Sequence, residues 1–576
     1  MMNLRFFLLS FTIISASACV IQKTPSHQTD VQQPVSKQVP NQHVAMQNMD
    51  TRFLYLAAQS AMKEGNRTLA IELLETLIKK DPKAVDPHIQ LTTLLLTTGQ
   101  TGKAKVHLDT LLAEKDLQPG QREQVQLTRI RLYLAESRSE KALDAITGFL
   151  KAHPSHIQAR DLQARILSSQ KRFDEALAAI NTAIREKDLP EFRQLQAQLL
   201  VKKGDITSAK ASLIRMQELA PDDGTPVLML SALALKENDS MEAEKVLRFF
   251  IADHPEALNV SLALGKLMMQ EKRLVEAILV YKDLASRSGN NPEILRQLGM
   301  LYFQHQDYAE AEETFRKLID IHPDDVNRFY LAASLEALDR SSEARDIYEQ
   351  IDDSSPMAID SQIRLAAIDI SQDKLDKASN RLQNVLKTKP AHLDAHLMLS
   401  AIRLSRKQYR QLLDDTEKLM GINNLPARLL FNRAVAFDHF KQYEQVEAML
   451  NRIISRHPND AEALNFLGYT YAAQGVNLNK AIALINLALI QKPDDGYYLD
   501  SLAWAYYQKG DYAKAATAQT RALKKVTDDA VMYDHYGDIM WKNGKPEAAR
   551  QAWQKAIELK PKHPEQLKQK IKAGLK

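Results

Sequence analysis

A proline recurs along most of this chain at intervals of about 34 residues or a multiple of that spacing. The series consists of Pro221, Pro255, Pro323, Pro356, Pro390, Pro458, Pro493 and Pro561. A fixed period of this size is typical of arrays in which each unit packs only on its neighbours. The 576 residues are enough for several globular domains, but the period predicts one continuous array from Thr51 onward.

An alanine recurs with the same period, at the twentieth place of each unit. The series is Ala70, Ala104, Ala142, Ala176, Ala209, Ala243, Ala277, Ala311, Ala344, Ala378, Ala481, Ala515 and Ala549. This phase predicts about fifteen units, with starts near residues 51, 85, 123, 157, 190, 224, 258, 292, 325, 359, 393, 427, 461, 496 and 530. The units near 393 and 427 have Leu412 and Val446 at this place and match less well.

The unit that begins at Ala530 shows the full pattern. Its apolar or small residues and its proline occupy places 4, 7, 8, 11, 20, 24, 27 and 32: Tyr533, Tyr536, Gly537, Met540, Ala549, Trp553, Ala556 and Pro561. Places 4, 7, 8 and 11 share one helical stripe, and small residues at places 8 and 20 let two antiparallel helices approach closely. The pattern resembles that of the tetratricopeptide-repeat family. The resemblance implies an all-α, right-handed superhelical solenoid of about 15 helical hairpins over residues 51–561.

Residues 562–576 follow the last unit. Leu567, Ile571 and Leu575 recur there at helical spacing among several lysines. The pattern predicts a C-terminal capping helix that covers the exposed end of the array. A basic segment in contact with anionic lipid is the alternative interpretation.

The first residues indicate export. Residues 1–18 contain Arg5, a short apolar stretch and a run of small residues, as in a signal peptide, and the stretch is too short to span a bilayer. The sequence from Ala16 to Cys19 resembles the lipobox of bacterial lipoproteins, which implies cleavage before Cys19 and acylation of that residue. In that family Val20, which is not Asp, implies sorting to the outer membrane. An ordinary signal peptide, with Cys19 as a free thiol, is the alternative.

Residues 19–50 form a different kind of segment. Val20 to Asp50 contains many glutamines and three prolines but no aromatic residue and no leucine. A segment of this composition cannot bury enough apolar surface to form a core. We therefore expect residues 19–50 to be a lipidated, disordered tether.

The sequence offers little for catalysis. The patterns GxSxG, HExxH, GxxxxGK[ST] and GxGxxG are absent, and Cys19 is the single cysteine. His153, His254, His322 and His457 each precede a proline at the same phase, which predicts capping of helix ends and not a metal site. A net charge of +4 is too small to indicate nucleic-acid binding. The sequence predicts a protein that is not an enzyme and that has no cofactor or metal.

Binding is expected in the groove of the solenoid. In the tetratricopeptide family, places 2, 5, 9 and 12 of each first helix project into the concave groove. In the C-terminal units these places are Phe431, Tyr469, Tyr497, Asp500, Trp504, Tyr507, Asp534, Asp538 and Trp541. Aromatic side chains are enriched among binding hot spots, and the acids between them indicate a basic partner segment. Packing between neighbouring hairpins is the alternative role for each residue.

Anchor, tether and solenoid together predict a periplasm-facing adaptor of the outer membrane that binds proteins. The layout resembles the tetratricopeptide lipoproteins that partner carboxyl-terminal processing proteases. That resemblance implies the delivery of cell-wall hydrolases to such a protease. A scaffold for exopolysaccharide or protein export is one alternative. A glycan-acting enzyme is the other, although no catalytic carboxylate pair stands out.

Overall fold

The computed structural model is built from α-helices and describes residues 49–561 and 564–575. Cys19, the signal peptide and most of the tether lie outside the described residues. The described helices form two compact bodies. The N-terminal body comprises residues 49–306, and the C-terminal body comprises residues 307–561 and 564–575.

The N-terminal body contains seven helical hairpins followed by a single helix. Its helices are α1 (Thr51–Lys63), α2 (Arg67–Lys80), α3 (Val85–Thr97), α4 (Thr101–Ala113), α5 (Pro119–Ala135), α6 (Ser139–Ala152), α7 (Ile157–Ser169), α8 (Phe173–Glu186), α9 (Pro190–Lys203), α10 (Ile206–Leu219), α11 (Thr225–Lys236), α12 (Ser240–Asp253), α13 (Leu258–Gln270), α14 (Leu274–Arg287) and α15 (Pro292–His305). Each helix packs on the next in chain order. Odd-numbered helices are therefore the first helices of hairpins, and even-numbered helices are the second.

The C-terminal body contains a single helix, seven hairpins and a final helix. Its helices are α16 (Tyr308–Ile321), α17 (Asp325–Ala337), α18 (Ser341–Tyr348), α19 (Ala358–Ser371), α20 (Leu375–Thr388), α21 (Leu393–Ser405), α22 (Tyr409–Thr416), α23 (Ala427–His439), α24 (Tyr443–Ile454), α25 (Ala461–Gln474), α26 (Leu478–Gln491), α27 (Gly496–Lys509), α28 (Tyr512–Lys525), α29 (Ala530–Lys542), α30 (Pro546–Glu558) and α31 (Pro564–Ala573). The final helix packs on α30. The predicted all-α fold is confirmed.

The recurring alanine lies where the two helices of a hairpin meet. All thirteen alanines at the twentieth place have a relative exposure of 0%, and so have Leu412 and Val446, which replace alanine in two units. Glycine at the eighth place is equally constrained, because a Cβ atom on Gly468 would lie 2.5 Å from Ile485 Cγ1. In the units that have them, the small residues are therefore steric requirements of helix packing, whereas the hairpins of Leu412 and Val446 accommodate a larger buried side chain.

Local signals fix where these helices begin and end. Asp495 accepts hydrogen bonds from the backbone N–H groups of Tyr497 and Tyr498 at 3.0 and 3.1 Å, which caps the start of α27. The same helix ends at Gly510, whose φ of +85° is accessible to glycine at little cost. Observed first helices begin within one residue of the predicted starts, with a single exception.

That exception is α5, which begins at Pro119 and not near residue 123. Proline is favoured at the first helical position, and the Gln121 side chain accepts a hydrogen bond from the backbone N–H of Gln118 at 3.2 Å. The two effects extend the helix by a turn towards its N-terminus.

Two second helices are short, and arginines pair with polar groups beside each of them. After α22 and a 3₁₀ turn, Arg452 and Arg456 donate to the carbonyls of Ile422 and Leu425 at 2.8 and 2.6 Å. Carbonyls in an irregular segment need such partners because no backbone N–H group of a helix donates a hydrogen bond to them. α18 is the other short helix, and there Arg345 lies 2.7 Å from the buried carboxylate of Asp369.

Among the described residues, no helix is both long enough and apolar enough to cross a membrane.

Replacing Gly468 with alanine is expected to destabilise the C-terminal body by about 1–3 kcal/mol. The added Cβ would also lie 2.9 Å from the backbone carbonyl of Ala481, so a helix must move. Gly148→Ala is the matched control, because that helical glycine has open space around its missing Cβ. The control should be stabilising by about 0.5–1 kcal/mol. Urea denaturation followed by circular dichroism measures both, and equal midpoints would contradict the packing argument.

Candidate protein-interaction surface

The first helices of the last hairpins lie side by side in the C-terminal body. α25 packs against α27, and α27 packs against α29. The Phe431 and Phe466 rings, with centroids 5.5 Å apart, bring α23 against α25. The period of the repeat therefore places equivalent side chains from successive hairpins on one wall.

Five aromatic side chains on this wall keep part or most of their surface in contact with solvent. We call them the aromatic wall: Phe431, Tyr469, Tyr497, Trp504 and Tyr507. Tyr497 is 57% exposed, and the other four are half-buried. Trp504 stacks on Tyr507 with centroids 4.8 Å apart. Aromatic rings that are already ordered lose little conformational entropy when a partner covers them.

The tyrosine hydroxyls of the wall stay protonated. Burial raises the pKa of Tyr507 to about 12, and the carboxylates of Asp538 and Asp534 add to the effect. Burial also raises the pKa of Tyr469. Both side chains are therefore neutral hydrogen-bond donors across the physiological range of pH.

A buried polar network lies beside the wall and joins the last two hairpins. Asp500 on α27 has both carboxylate oxygens 3.1 Å from Nδ1 of His535 on α29. Gln519 donates to the same carboxylate at 2.6 Å and to the carbonyl of Met532 at 2.9 Å. The imidazole of His535 also stacks on Trp504, with centroids 4.2 Å apart. These contacts hold both helices and the Trp504 ring in one arrangement.

The final helix contributes a second network. Lys570 on α31 donates to Asp534 at 2.6 Å and to Asp538 at 2.7 Å. Asp538 also accepts from the indole N–H of Trp553 at 2.9 Å. Trp541 is half-buried in the apolar cluster that includes residues of α31. The final helix therefore covers one end of the first-helix wall.

The prediction that Asp500, Asp534 and Asp538 offer free acids in the groove is wrong. Asp500 and Asp538 are 8% and 7% exposed, and Asp534 is paired with Lys570. The family pattern placed these side chains by their position in one hairpin, but the next helix in the chain covers them. A binding role for the aromatic residues stays a prediction.

Sequence reasoning missed His535, Gln519 and Lys570. Asp500 and His535 are 35 residues apart, one period plus one place. A polar pair at that spacing, on helices that the repeat makes adjacent, is a signal that could have revealed the network. Lys570 lies outside the repeat and gave no such signal.

Among the described residues, no group of three or more His, Cys, Asp or Glu side chains is placed to hold a metal ion.

Family comparisons agree with the geometry. A family model described as tetratricopeptide repeat matches residues 61–122 and 268–337. A second model with the same description matches residues 127–189, 228–292, 441–496 and 501–564. Together they cover more than half of the chain. The chain belongs to the tetratricopeptide-repeat family.

Several tetratricopeptide relatives share part of its sequence. The TPR repeat-containing protein PA4667 of Pseudomonas aeruginosa is 28% identical over 36% of this chain and 35% of the relative. Anaphase-promoting complex subunit 3 of Schizosaccharomyces pombe is 20% identical over 36% of this chain and 31% of its own length. DnaJ homolog subfamily C member 3 of Gallus gallus is 23% identical over 48% of this chain and 52% of its own. The chain thus spans about a third to a half of these relatives.

Among solved structures, the complex of Naa15/Naa10 bound to HypK-THB contains a similar chain. The match covers 75% of this tetratricopeptide protein and 68% of that chain, with a TM-score of 0.32 and 17% sequence identity.

The stability of the last two hairpins is expected to fall as the pH rises above about 6.5, the ordinary pKa of histidine. Burial by itself lowers the pKa of His535, but the charge and hydrogen bond of Asp500, together with the charges of Asp534 and Asp538, outweigh burial and the net shift is upward. Asp534, Asp538 and the nearby Lys570 complete the set of charges around the ring. A raised folded-state pKa means that stabilisation is complete below the unfolded pKa and is lost as the pH rises through the folded value.

The measurement is the urea midpoint on either side of that range, at about pH 6 and about pH 8.5. His535→Gln keeps a donor for Asp500 but cannot titrate, so its midpoint should change less between the two conditions. An identical pH dependence in wild type and variant would show that another group is responsible.

Proposed function

We propose that this tetratricopeptide-repeat protein is a non-enzymatic adaptor, lipid-anchored at Cys19 and facing the periplasm, that binds proteins on its aromatic wall. The observation that carries the proposal is the set of solvent-accessible rings on adjacent first helices, with Tyr497 the most exposed. Tyr and Trp are enriched at the centres of protein interfaces. Tetratricopeptide proteins in general act as scaffolds for other proteins, and two of the relatives are named as a complex subunit and a DnaJ homolog.

The proposed partners are a periplasmic processing protease and its substrates, such as cell-wall hydrolases. This choice is supported by the resemblance in layout to the lipoprotein adaptors of carboxyl-terminal processing proteases. An export scaffold would hold other enzymes on the same surface.

The wall favours an apolar partner segment and not a basic one. Its rings are neutral, and Asp500, Asp534 and Asp538, the acids nearest Trp504 and Tyr507, are buried or paired with Lys570. A partner gains by covering apolar surface, at roughly 25 cal/mol per Å² before the costs of association are counted. Binding around Trp504 and Tyr507 should therefore depend little on salt, which revises the expectation from the sequence that Asp500, Asp534 and Asp538 steer a basic partner.

Tyr497→Ala is expected to weaken partner binding by about tenfold or more, since a contact that contributes about 1.4 kcal/mol is lost. The helical content should stay the same because this side chain is 57% exposed. Trp504→Ala should weaken binding and also loosen the stack with His535. Calorimetry with the captured partner and circular dichroism of each variant distinguish the two cases.

Partner capture uses a photo-crosslinking residue at position 497 of the membrane-associated chain, followed by mass spectrometry. A second chain with the crosslinker at Lys524, an exposed residue of the second helix α28, is the control. Crosslinks to a protease or hydrolases from 497 alone support the proposal. Glycan synthases at 497 would favour the export scaffold, and equal crosslinks from both positions would contradict a site on the wall.

Cys19→Ser is expected to abolish acylation and release the chain from the membrane. The acyl chains are the proposed anchor, and each buried methylene contributes about 0.8 kcal/mol. Incorporation of labelled palmitate measures acylation, and membrane fractionation measures release of the chain. Membrane association that survives in the unlabelled variant would assign attachment to another part of the chain.

A further inference from the structure

An apolar cleft lies on the outer side of the N-terminal body, between the second helices α10 and α12. Ile214 and Phe249 form its walls and are 52% and 71% exposed. The buried Phe250 and the exposed Pro221 also line it, and its volume is about 270 Å³. Large apolar side chains exposed together on a soluble protein mark an interaction site more often than chance placement does.

Packing of the repeat does not require a phenylalanine at position 249. Phe249 stands at the twenty-sixth place of its unit, on the solvent side of the second helix. The same place in the other units of the N-terminal body has Thr76, Thr110, Gly148, Thr182, Arg215 and Asp283. The repeat folds with small or polar residues there, so the exposed ring is a local addition to the pattern.

The rim of the cleft is acidic. Asp253 lines it, and Asp222 and Glu256 stand beside it with His254 Nδ1 at 3.9 and 3.6 Å. α10 and α12 both end at the cleft, so their terminal carbonyls add negative potential. The chain as a whole carries +4, so this acidity is a property of the site and not of the protein.

The nearby arginines pair with acids other than Asp253, Asp222 and Glu256. Arg215 lies 3.0 Å from Asp188 and 2.7 Å from Glu218, which also lines the cleft. Arg248 is directed towards α14, where it lies 3.1 Å from Glu276. The rim acids are therefore available to a cation from outside the chain.

We propose that this cleft binds a protein segment in which a large apolar side chain is adjacent to lysine or arginine. The apolar side chain would enter between Ile214 and Phe249, and the cation would meet the carboxylates of the rim. The volume of the cleft is below that of a typical small-molecule site, so one or two side chains of a partner are the occupants that fit it best. This surface is formed by second helices, so it gives the adaptor a binding site in addition to the aromatic wall on its first helices.

The test uses the full chain and a fluorescein-labelled peptide in which leucine and phenylalanine are flanked by two lysines on each side. Fluorescence polarisation is expected to give a Kd on the order of 10 μM that weakens as salt is added. The Ile214→Ser/Phe249→Ser variant should lose at least about tenfold in affinity, and Asp222→Asn/Glu256→Gln should lose less affinity but show a weaker salt dependence, since Asp253 remains. Leu279→Ser, an exposed apolar residue of α14 outside the cleft, is the matched control and should bind normally.

A matched peptide with glutamates in place of the lysines should bind at least tenfold more weakly. Absence of binding by the lysine peptide, or equal binding by the cleft variant, would overturn the proposal. Sedimentation equilibrium tests the other occupant: a dimer that Phe249→Ser disrupts would assign the cleft to a second copy of the chain and would also overturn it. Circular dichroism confirms that each variant is folded.

Discussion

The close approach of two antiparallel helices is the contact on which the rest of this structure depends. It needs a small residue on one side and a fully buried residue on the other, as at Gly468 and Ala481. A larger side chain at Gly468 would separate the two helices, and the cost of overpacking is about 1–3 kcal/mol at one site. Because most hairpins repeat this contact, the first helices of successive hairpins within each body are brought side by side, and their exposed residues share one face.

Polar residues in the interior serve to join one hairpin to the next. Asp500, Gln519 and His535 come from three helices, and each satisfies part of the hydrogen-bonding capacity of another. A buried carboxylate without such partners is strongly unfavourable, so the network specifies one relative placement of the last hairpins. The same network holds Trp504 in place by stacking. Stability and the shape of the aromatic wall are therefore coupled at this end of the chain.

Both proposed binding surfaces lie where a side chain is larger and more apolar than packing of the repeat requires. Phe249 and Tyr497 are exposed rings on helices whose packing is complete without them. Their surroundings differ: Tyr497 belongs to a wall of aromatic groups on first helices, and Phe249 lies in a cleft at the ends of two second helices. A repeat protein tolerates such additions because each hairpin depends mainly on its neighbours.

The sequence by itself determined the helices, their pairing and the residues between them. Its signals are local or periodic: a capping Asp495, a terminal Gly510 and an alanine at the twentieth place all act within one unit. Tertiary structure decided which polar residues are exposed. Asp500 and Asp538 are covered by residues of the next helix or of the final helix, and Lys570 comes from outside the repeat. One period describes the contacts that all units share, whereas the chemistry of a surface depends on the particular side chains that neighbouring units bring to it.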